Sequence, residues 1–303
     1  MIADRNIMKI VIGTRGSKLA IVQSKAVARM LHAAGAEVEI KAIQTVGDTL
    51  DVALTELGGK GVFVKEIDEA LLAGEIDCAV HSMKDVPAEL PAGTAIAAVP
   101  VREDARDAFI SVTAFKFAGL PKGARVGTSS PRRRAQIFRL RPDIEIVPLR
   151  GNVETRLKKV HSGEVDAVIL AAAGLKRLGV ESIITEIMPP DKMIPAVGQG
   201  ALAVVARADD RERVKFITKA CHHVATGVAI RAERAFLKAT GGGCHTPLAA
   251  HAEIRPSGIE ISGFMTSPDE ARFAIEKESG PVEEAAAIGR KLAAKILAKL
   301  GTK

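Results

Sequence analysis

The sequence predicts an α/β protein with a smaller α+β region at its C-terminal end, on three observations. Short apolar segments alternate with segments of helical spacing along the first two thirds of the chain, which is typical of strands joined by helices. This order occurs twice, with strands predicted at 9–13, 38–46, 76–80 and 94–101 and again at 108–111, 125–127, 144–149 and 165–171. The tail differs: short strands at 248–255, 259–265 and 271–276 precede one long helix.

The helices are predicted from caps and spacing. Ser17 is a suitable N-cap for a helix over 18–33, and further helices are expected at 63–73, from Pro131, from Val153, up to Leu178 and at 228–239. Residues 47–61 contain several polar residues and four glycines, and a loop of this length is often a lid.

Three domains follow from this order. Domain 1 is expected to comprise residues 1–101 with 201–219, because the stretch 194–205 should cross back to the first unit. Domain 2 is expected at 102–200, and domain 3 at 220–303.

Composition restricts the class of protein. The chain of 303 residues is 47% hydrophobic and 26% charged, as in ordinary globular proteins. No apolar run reaches the ~18 residues of a membrane helix, and the first residues lack the order of a signal peptide. Three cysteines form an odd, sparse set that fits a reducing compartment. We therefore expect a cytoplasmic protein that does not enter the membrane.

The net charge of +7 indicates an anionic partner. Nucleic acid is one candidate, but the chain has no Trp, no Tyr and only nine Phe, so platforms for base stacking are scarce. A small polyanionic molecule is the better expectation. An RNA-binding protein and a non-catalytic anion-binding protein remain the alternatives.

The helix predicted to begin at Pro131 carries positive side chains at the end of the helix that least favours them. If Ser130 is the N-cap, then Arg132, Arg133 and Arg134 fall in the first turn. The helix dipole disfavours cations there by ~0.3–1 kcal/mol each. A sequence keeps such a conflict most readily at a functional site, where free N–H groups and guanidinium groups together bind an anion. A solvated basic face is the alternative.

Arginines follow two other predicted strands in the same way. Arg15 and Ser17 come after the first strand, while Arg150 and Arg156 come after the strand at 144–149. Because ligands of α/β sheets collect at the carboxyl ends of strands, three such turns favour a carboxylate-rich or phosphate-rich ligand. No turn matches GxxxxGK[ST] or GxGxxG, and no GxSxG or HExxH occurs, so the common nucleotide and hydrolase motifs are absent.

One acidic residue lies beside these basic turns. Asp85 follows Lys84 just past the strand predicted at 76–80. A carboxylate in a cleft lined by arginines could stabilise a transient cation or move a proton. A surface turn in which Lys84 pairs with Asp85 is the alternative.

Cys244 follows three glycines and precedes Thr246 and Pro247, so its thiol lies on a loop whose backbone can approach a ligand closely. Three interpretations are open: a buried thiol, a reactive or modified thiol, or a metal site. The metal site would use Cys221, His222, His223 and His245 with Cys244, although this spacing does not match common zinc patterns.

Four motifs taken together resemble the porphobilinogen deaminase family, also called hydroxymethylbilane synthase. They are HSMKDVP at 81–87, VGTSSPRR at 126–133, LRGNVETR at 149–156 and GGC at 242–244. The resemblance runs nearly end to end and keeps the order of the family. It implies two domains like the lobes of a periplasmic anion-binding protein and a third domain that carries the cysteine.

The resemblance also implies an activity and a cofactor. A dipyrromethane would be joined to Cys244 by a thioether, four porphobilinogen molecules would be deaminated and added in turn, and hydrolysis would release hydroxymethylbilane. The substrate carries acetate and propionate groups, which accounts for the arginines. A metal and a nucleic acid are not implied, and a monomer is expected.

The resemblance assigns roles residue by residue. Asp85 would be the catalytic carboxylate. The cofactor would be held by Cys244, Lys84, Ser82, Thr128, Ser130, Arg132, Arg133 and Arg156. The substrate would be bound by Arg15, Ser17, Arg150 and Lys60, with Lys60 on a loop over the cleft. The sequence departs from the residues usual in the family at Lys18, Pro131, His245-Thr246 and Val205-Ala206, none of which carries an assigned role.

Overall fold

The structure is a computed structural model that describes residues 7–45, 65–113, 115–243 and 246–301. The chain divides into two compact units, of which the first comprises Met1–Arg102 with Ala201–Gly227 and the second Glu103–Gly200 with Val228–Lys303. No helix within the described ranges combines the length and the apolar character that crossing a membrane requires.

The strands in chain order, over the described residues, are β1 (Lys9–Arg15), β2 (Glu37–Ile43), β3 (Cys78–Ser82), β4 (Thr94–Ala98), β5 (Asp107–Ser111), β6 (Arg125–Gly127), β7 (Glu145–Val147), β8 (Ala167–Ala171), β9 (Glu186–Met188), β10 (Leu202–Arg207), β11 (Leu248–Arg255), β12 (Gly258–Thr266) and β13 (Phe273–Gly280). The α-helices are α1 (Lys18–Ala33), α2 (Lys65–Leu72), α3 (Pro131–Leu140), α4 (Val153–His161), α5 (Ala172–Leu178), α6 (Arg211–Cys221), α7 (Val224–Ala239) and α8 (Ala285–Leu300).

The first unit contains a five-stranded mixed sheet in the order β2-β1-β3-β10-β4. β1 is parallel to β2 and β3, while β10 runs antiparallel between β3 and β4. Ile10 and Ile12 point from β1 into a core that Val27 and Leu31 of α1 complete. Because β1 and β3 are parallel, the residues that follow both strands lie at the same edge of the sheet.

The second unit repeats this plan with a sheet in the order β7-β6-β8-β5-β9. β6 is parallel to β7 and β8, and β5 runs antiparallel between β8 and β9. Phe109 of β5 and Ile137 of α3 are fully buried in its core. The same order of parallel and antiparallel neighbours in both sheets confirms the prediction of two similar α/β units.

The rest of the second unit is an antiparallel sheet, β11-β12-β13, whose core is shared with α7 and α8. Phe236 of α7 and Leu292 of α8 are fully buried there. The two helices approach so closely that a Cβ on Gly289 would lie 2.1 Å from the Ala232 carbonyl oxygen, so this position requires glycine. The predicted α+β region is confirmed.

Several elements differ from the sequence prediction. α6 and β9 were not predicted, α7 begins at Val224, four residues before the predicted start at Val228, and β13 ends at Gly280, four residues after the predicted end at Glu276. The signal for α6 is local: Asp210 caps it by accepting a hydrogen bond from the Arg213 N–H, and Ile217 and Cys221 recur on its buried face. The predicted lid at 47–61 lies outside the described residues.

Candidate functional site

In the first unit, the predicted residues gather where β1 and β3 end. Arg15 is the last residue of β1, and Ser17 caps α1 by accepting a hydrogen bond from the Ala20 N–H at 3.3 Å. A cavity of about 70 Å³ at this edge is lined by Arg15, Ser17, Gln23, Ser82 and Asp85, among others. The structure thus brings the predicted catalytic carboxylate and two predicted substrate-binding residues to one cavity.

Asp85 ends a single turn of 3₁₀ helix, Met83–Asp85, directly after β3. The Met83 N–H donates to the Ala201 carbonyl at 3.0 Å, and the Val86 N–H donates to the Met83 carbonyl at 3.2 Å. Met83 and Val86 are buried, whereas Lys84 and Asp85 are exposed. The buried residues anchor the turn, and the two charged side chains project from it.

Gln23 was not predicted to belong to this site. It is 3% exposed, and its Nε2 donates a hydrogen bond of 2.8 Å to Ser82 Oγ. The sequence signal was a polar residue on the buried face of α1, among Ala20, Val27 and Leu31. Because a buried side-chain amide needs a hydrogen-bond partner, the sequence alone could have marked Gln23 as a residue with a specific polar contact.

His81 adjoins the cavity and is 6% exposed. Burial and the nearby charge of Arg15 lower the pKa of His81 from 6.5 to about 4. At neutral pH its imidazole is therefore uncharged and is a poor proton donor.

In the second unit, the turn between β6 and α3 has the predicted cap. Ser130 Oγ accepts a hydrogen bond from the Arg133 N–H at 3.4 Å, Pro131 occupies the first helical position, and the Ser130 N–H donates to Thr128 Oγ1 at 3.2 Å. Thr128 is buried just past the end of β6. The predicted start of this helix is confirmed.

Arg132 and Arg133 share one buried carboxylate, that of Asp107. Arg132 Nη1 donates to Asp107 Oδ2 at 2.7 Å and Nη2 donates to Oδ1 at 3.1 Å. Arg133 donates to Oδ1 from Nε at 3.0 Å and from Nη2 at 2.7 Å. Each arginine is 5% exposed and Asp107 is 0% exposed. The two cations in the first turn of α3 are thus held by a carboxylate from β5.

The charges of this group do not cancel. Burial alone would raise the pKa of Asp107, but the charges of Arg132 and Arg133 outweigh it and hold the pKa well below the usual range. Burial lowers the pKa of Arg133, while the charge of Asp107 opposes this change. One carboxylate faces two guanidinium groups, so the group keeps an excess of positive charge.

Helix α3 is fixed further by Gln136 and the backbone of Ile194. Gln136 Nε2 donates to the Ile194 carbonyl at 3.0 Å, and the Ile194 N–H donates to Gln136 Oε1 at 2.8 Å. Arg132 Nη1 donates to the same carbonyl at 2.9 Å. These contacts tie the first two turns of α3 to the backbone of Ile194.

Arg156 lies near this pair. Burial and the charge of Arg133 lower the pKa of Arg156 to about 10, and its Nε donates to the Gly151 carbonyl at 2.8 Å. Gly151 has a φ of 103°, a conformation that favours glycine. Arg150, just before this turn, is exposed. The structure brings Arg156 close to Arg133 and leaves Arg150 at the surface of the same turn.

Two predicted residues, Lys60 and Cys244, lie outside the described residues, as does His245. Of the other residues in the alternative metal site, His222 Nδ1 accepts a hydrogen bond from the Val99 N–H at 3.2 Å, and His223 Nδ1 contacts Thr226 Oγ1 at 2.8 Å. Cys221 is buried, and burial raises its pKa to about 11.

Comparison with known proteins gives a consistent result. Residues 10–215 match the family model described as "Porphobilinogen deaminase, dipyromethane cofactor binding domain", and residues 228–298 match "Porphobilinogen deaminase, C-terminal domain". Porphobilinogen deaminase of Geobacter sulfurreducens is 50% identical over 296 residues, which cover 96% of this chain and 92% of that protein. The protein of the same name from Geotalea uraniireducens is 50% identical over 289 residues, covering 94% and 90%.

Solved structures with a similar arrangement of elements include a YaeC-family lipoprotein from Enterococcus faecalis and a periplasmic substrate-binding protein of an ABC transporter from Coxiella burnetii. The first has a TM-score of 0.43 at 15% identity and covers 73% of this chain and 94% of that chain. The second has a TM-score of 0.43 at 15% identity and covers 71% and 92%.

The two family models and the two porphobilinogen deaminase relatives place the chain among the transferases of tetrapyrrole biosynthesis. Within that class, the chain belongs to the porphobilinogen deaminase family. The resemblance inferred from the four motifs is confirmed.

Proposed function

We propose that this protein deaminates porphobilinogen, joins four molecules head to tail on a dipyrromethane bound to Cys244, and then releases hydroxymethylbilane by hydrolysis. The observation that carries this proposal is the excess positive charge around Arg132, Arg133 and Arg156 at the carboxyl ends of strands. Every pyrrole of the substrate has an acetate and a propionate group, so the growing chain is a polyanion. Guanidinium groups suit such carboxylates because they form paired, charge-assisted hydrogen bonds.

The side chains present in the second unit fit a dipyrromethane. They combine the hydroxyl groups of Thr128 and Ser130, the cap of α3 and the guanidinium groups, all of which are donors to carboxylate oxygens. When bound, the dipyrromethane supplies the nucleophilic pyrrole carbon on which the product is built. We propose that it is held by Cys244, Lys84, Ser82, Thr128, Ser130, Arg132, Arg133 and Arg156.

The first unit would receive the substrate. We propose that Arg15 and Ser17 bind a carboxylate of porphobilinogen in the cavity that Asp85 also lines, with Arg150 and Lys60 as further binding residues. The Ser17 hydroxyl already accepts from the N–H of Ala20, so its own proton remains available for an acceptor.

Asp85 would act on the charge that develops in porphobilinogen. When ammonia leaves the aminomethyl group, the remaining methylene is conjugated to a pyrrole nitrogen that bears positive charge. A carboxylate that accepts a hydrogen bond from this N–H stabilises the cation and can later receive a proton. Asp85 projects from an anchored turn, as a group that must stay in one place relative to the substrate should do.

We further propose that the protein is a cytoplasmic monomer. Its three domains would comprise residues 1–101 with 201–219, residues 102–200 and residues 220–303. Size-exclusion chromatography with light scattering tests the monomer, and a mass of two or more chains would contradict it.

The attachment at Cys244 is tested by intact-mass spectrometry of the protein purified from a haem-making host. We expect a covalent dipyrrole that peptide mapping places on Cys244, and Cys244→Ser should remove both the added mass and the activity. Cys221→Ser is the matched control and should keep the adduct. An active protein with an unmodified Cys244 would contradict the proposal. Because the chain has no Trp and no Tyr, a pyrrole chromophore should dominate its near-ultraviolet spectrum.

A further inference from the structure

We propose that Asp107 is a positioning residue, which holds Arg132 and Arg133 side by side in one orientation so that their excess positive charge faces a carboxylate of the pyrrole ligand. This inference rests on the proposed function of the two arginines. Neither the motifs nor the assignments made from them include Asp107.

The geometry of the hydrogen bonds fixes both guanidinium planes. Each arginine presents two N–H groups to the Asp107 carboxylate: Arg132 through Nη1 and Nη2, and Arg133 through Nε and Nη2. A bidentate contact restrains the direction of a guanidinium group as well as its distance. Arg133 uses its Nε edge for Asp107, which leaves Nη1 as a donor for a ligand.

A purely structural role explains this group poorly. One buried carboxylate is neutralised by a single arginine, and the second arginine adds the cost of burying another charge. Arg156 adds a third cation, whose pKa is lowered first by burial and then by the charge of Arg133. The positive charge that Asp107 leaves uncompensated is explained if a carboxylate of a bound ligand also contacts these arginines.

Asp107 is itself held from several directions. It is the first residue of β5 and is paired with Ala171 of β8 and Met188 of β9, so its backbone lies inside the sheet. Gln199 Nε2 donates to the Ala105 carbonyl at 2.7 Å and to Asp107 Oδ1 at 3.1 Å. Gln199 is 1% exposed.

The segment that carries Gln199 is anchored in turn. The Gly198 N–H donates to Glu233 Oε2 at 2.7 Å, and Glu233 Oε1 accepts from the Ala252 N–H at 2.8 Å. Glu233 lies on α7 and Ala252 on β11, so the α+β region of the same unit supports Gln199. We therefore infer that Gln199 is a second, weaker positioning residue that acts through Asp107.

The test compares Asp107→Asn, Asp107→Glu and a matched control, Asp166→Asn. Asp166 also binds an arginine in the second unit, since its Oδ1 accepts from Arg125 Nη2 at 2.9 Å, but it belongs to no proposed site. For each purified holoenzyme, the fraction loaded with dipyrromethane is measured by intact mass, and KM and kcat for porphobilinogen are measured per loaded enzyme.

If Asp107 positions the arginines that hold the dipyrromethane, Asp107→Asn should lower the loaded fraction about tenfold, while KM for porphobilinogen per loaded enzyme, which depends on other residues, stays within about threefold of wild type. Asp107→Glu, which restores the charge, should recover the loaded fraction to within about twofold, and Asp166→Asn should match wild type. A wild-type loaded fraction in Asp107→Asn, or no recovery in Asp107→Glu, would overturn the proposal.

If Asp107→Asn does not fold, Gln199→Met decides. It removes the donor to Asp107 and keeps both arginine contacts, so the loaded fraction should fall about threefold, and an unchanged loaded fraction would overturn the proposal. Failure of the proposed function is distinguishable, because the wild-type protein would then form no hydroxymethylbilane at all.

Discussion

Gln23 and Ser82 are 59 residues apart in the sequence, and Gln23 Nε2 donates a hydrogen bond of 2.8 Å to Ser82 Oγ. The bond connects the buried face of α1 to the end of β3, beside the cavity that Asp85 lines. It fixes the hydroxyl group that we assign to the cofactor. A helix that mainly packs the first unit thus also orients a residue of the proposed site.

This contact should be measurable in a double-mutant cycle. Gln23→Leu removes the donor at similar volume and leaves Ser82 without this partner, so the free energy of unfolding should fall by ~1–2 kcal/mol. Ser82→Ala should cost a similar amount. The double variant should lose less than the sum, with a coupling of ~0.5–1.5 kcal/mol from urea denaturation of cofactor-free protein. Additive losses would show that the hydrogen bond contributes nothing.

The stability should depend on pH through His81. Its folded pKa of about 4 lies below the ordinary value of 6.5, so between these pH values the unfolded chain binds a proton that the folded chain does not. The contribution of His81 is therefore complete above pH 6.5 and is lost as the pH falls to about 4. The loss is at most ~3 kcal/mol.

Asp68 acts in the opposite direction. Burial raises its pKa from 3.8 to about 6, so its contribution to the free energy of unfolding grows as the pH falls through that interval.

The His81 prediction is tested by comparing wild type with His81→Gln in urea unfolding at pH 4.5 and pH 7. Asp68 is present in both proteins, so its effect cancels in this comparison. Wild type should lose more stability on acidification than the variant. Parallel pH profiles would refute the assignment to His81.

Removing Arg156 should affect activity far more than stability. Arg156→Leu loses the hydrogen bond to the Gly151 carbonyl but also relieves the repulsion from Arg133, so the free energy of unfolding should change by less than ~1 kcal/mol. A charge-assisted hydrogen bond to a carboxylate contributes ~1.5–3 kcal/mol, so kcat/KM should fall about tenfold to 100-fold. Lys158→Leu, on the exposed face of the same helix, is the control. Wild-type turnover in Arg156→Leu would contradict its role in the site.

Local signals predicted where α1 and α3 begin. Ser130 and Pro131 define the start of α3 by their own chemistry, and Ser17 does the same for α1, so both helices begin where the sequence indicated. The same local signals placed Arg132 and Arg133 in the first turn of α3, where the structure has them. Such signals require only residues within one turn of each other.

The partners of these residues could not be predicted in the same way. Asp107 lies 25 residues before Arg132 and one residue before the strand predicted at 108–111. Its burial depends on β5 entering the sheet between β8 and β9, which only the strand order reveals. Gln199 and Gln136 likewise act through backbone groups distant in sequence. Local spacing carries no information on such contacts.

The last prediction concerns Asp85, the carboxylate we assign to the chemistry. Asp85→Asn keeps the shape and removes the charge, so it should still contain the cofactor but lose about 10²- to 10⁴-fold in kcat, the usual contribution of a positioned acid or base. Asp85→Glu keeps the charge and moves it by one methylene, so it should retain weak activity above that of Asp85→Asn. Because Asp85 is exposed at the end of a turn anchored by Met83 and Val86, neither change should lower the melting temperature measurably.

The control for Asp85 is Glu89→Gln, which changes an exposed acid four residues further on and should turn over like wild type. The measurement is the single-turnover rate of porphobilinogen consumption, with intact mass to verify the cofactor in each variant. If Asp85→Asn remains within about tenfold of wild type, the carboxylate is not the catalytic group, and Lys84 or a bound water must supply the proton transfer.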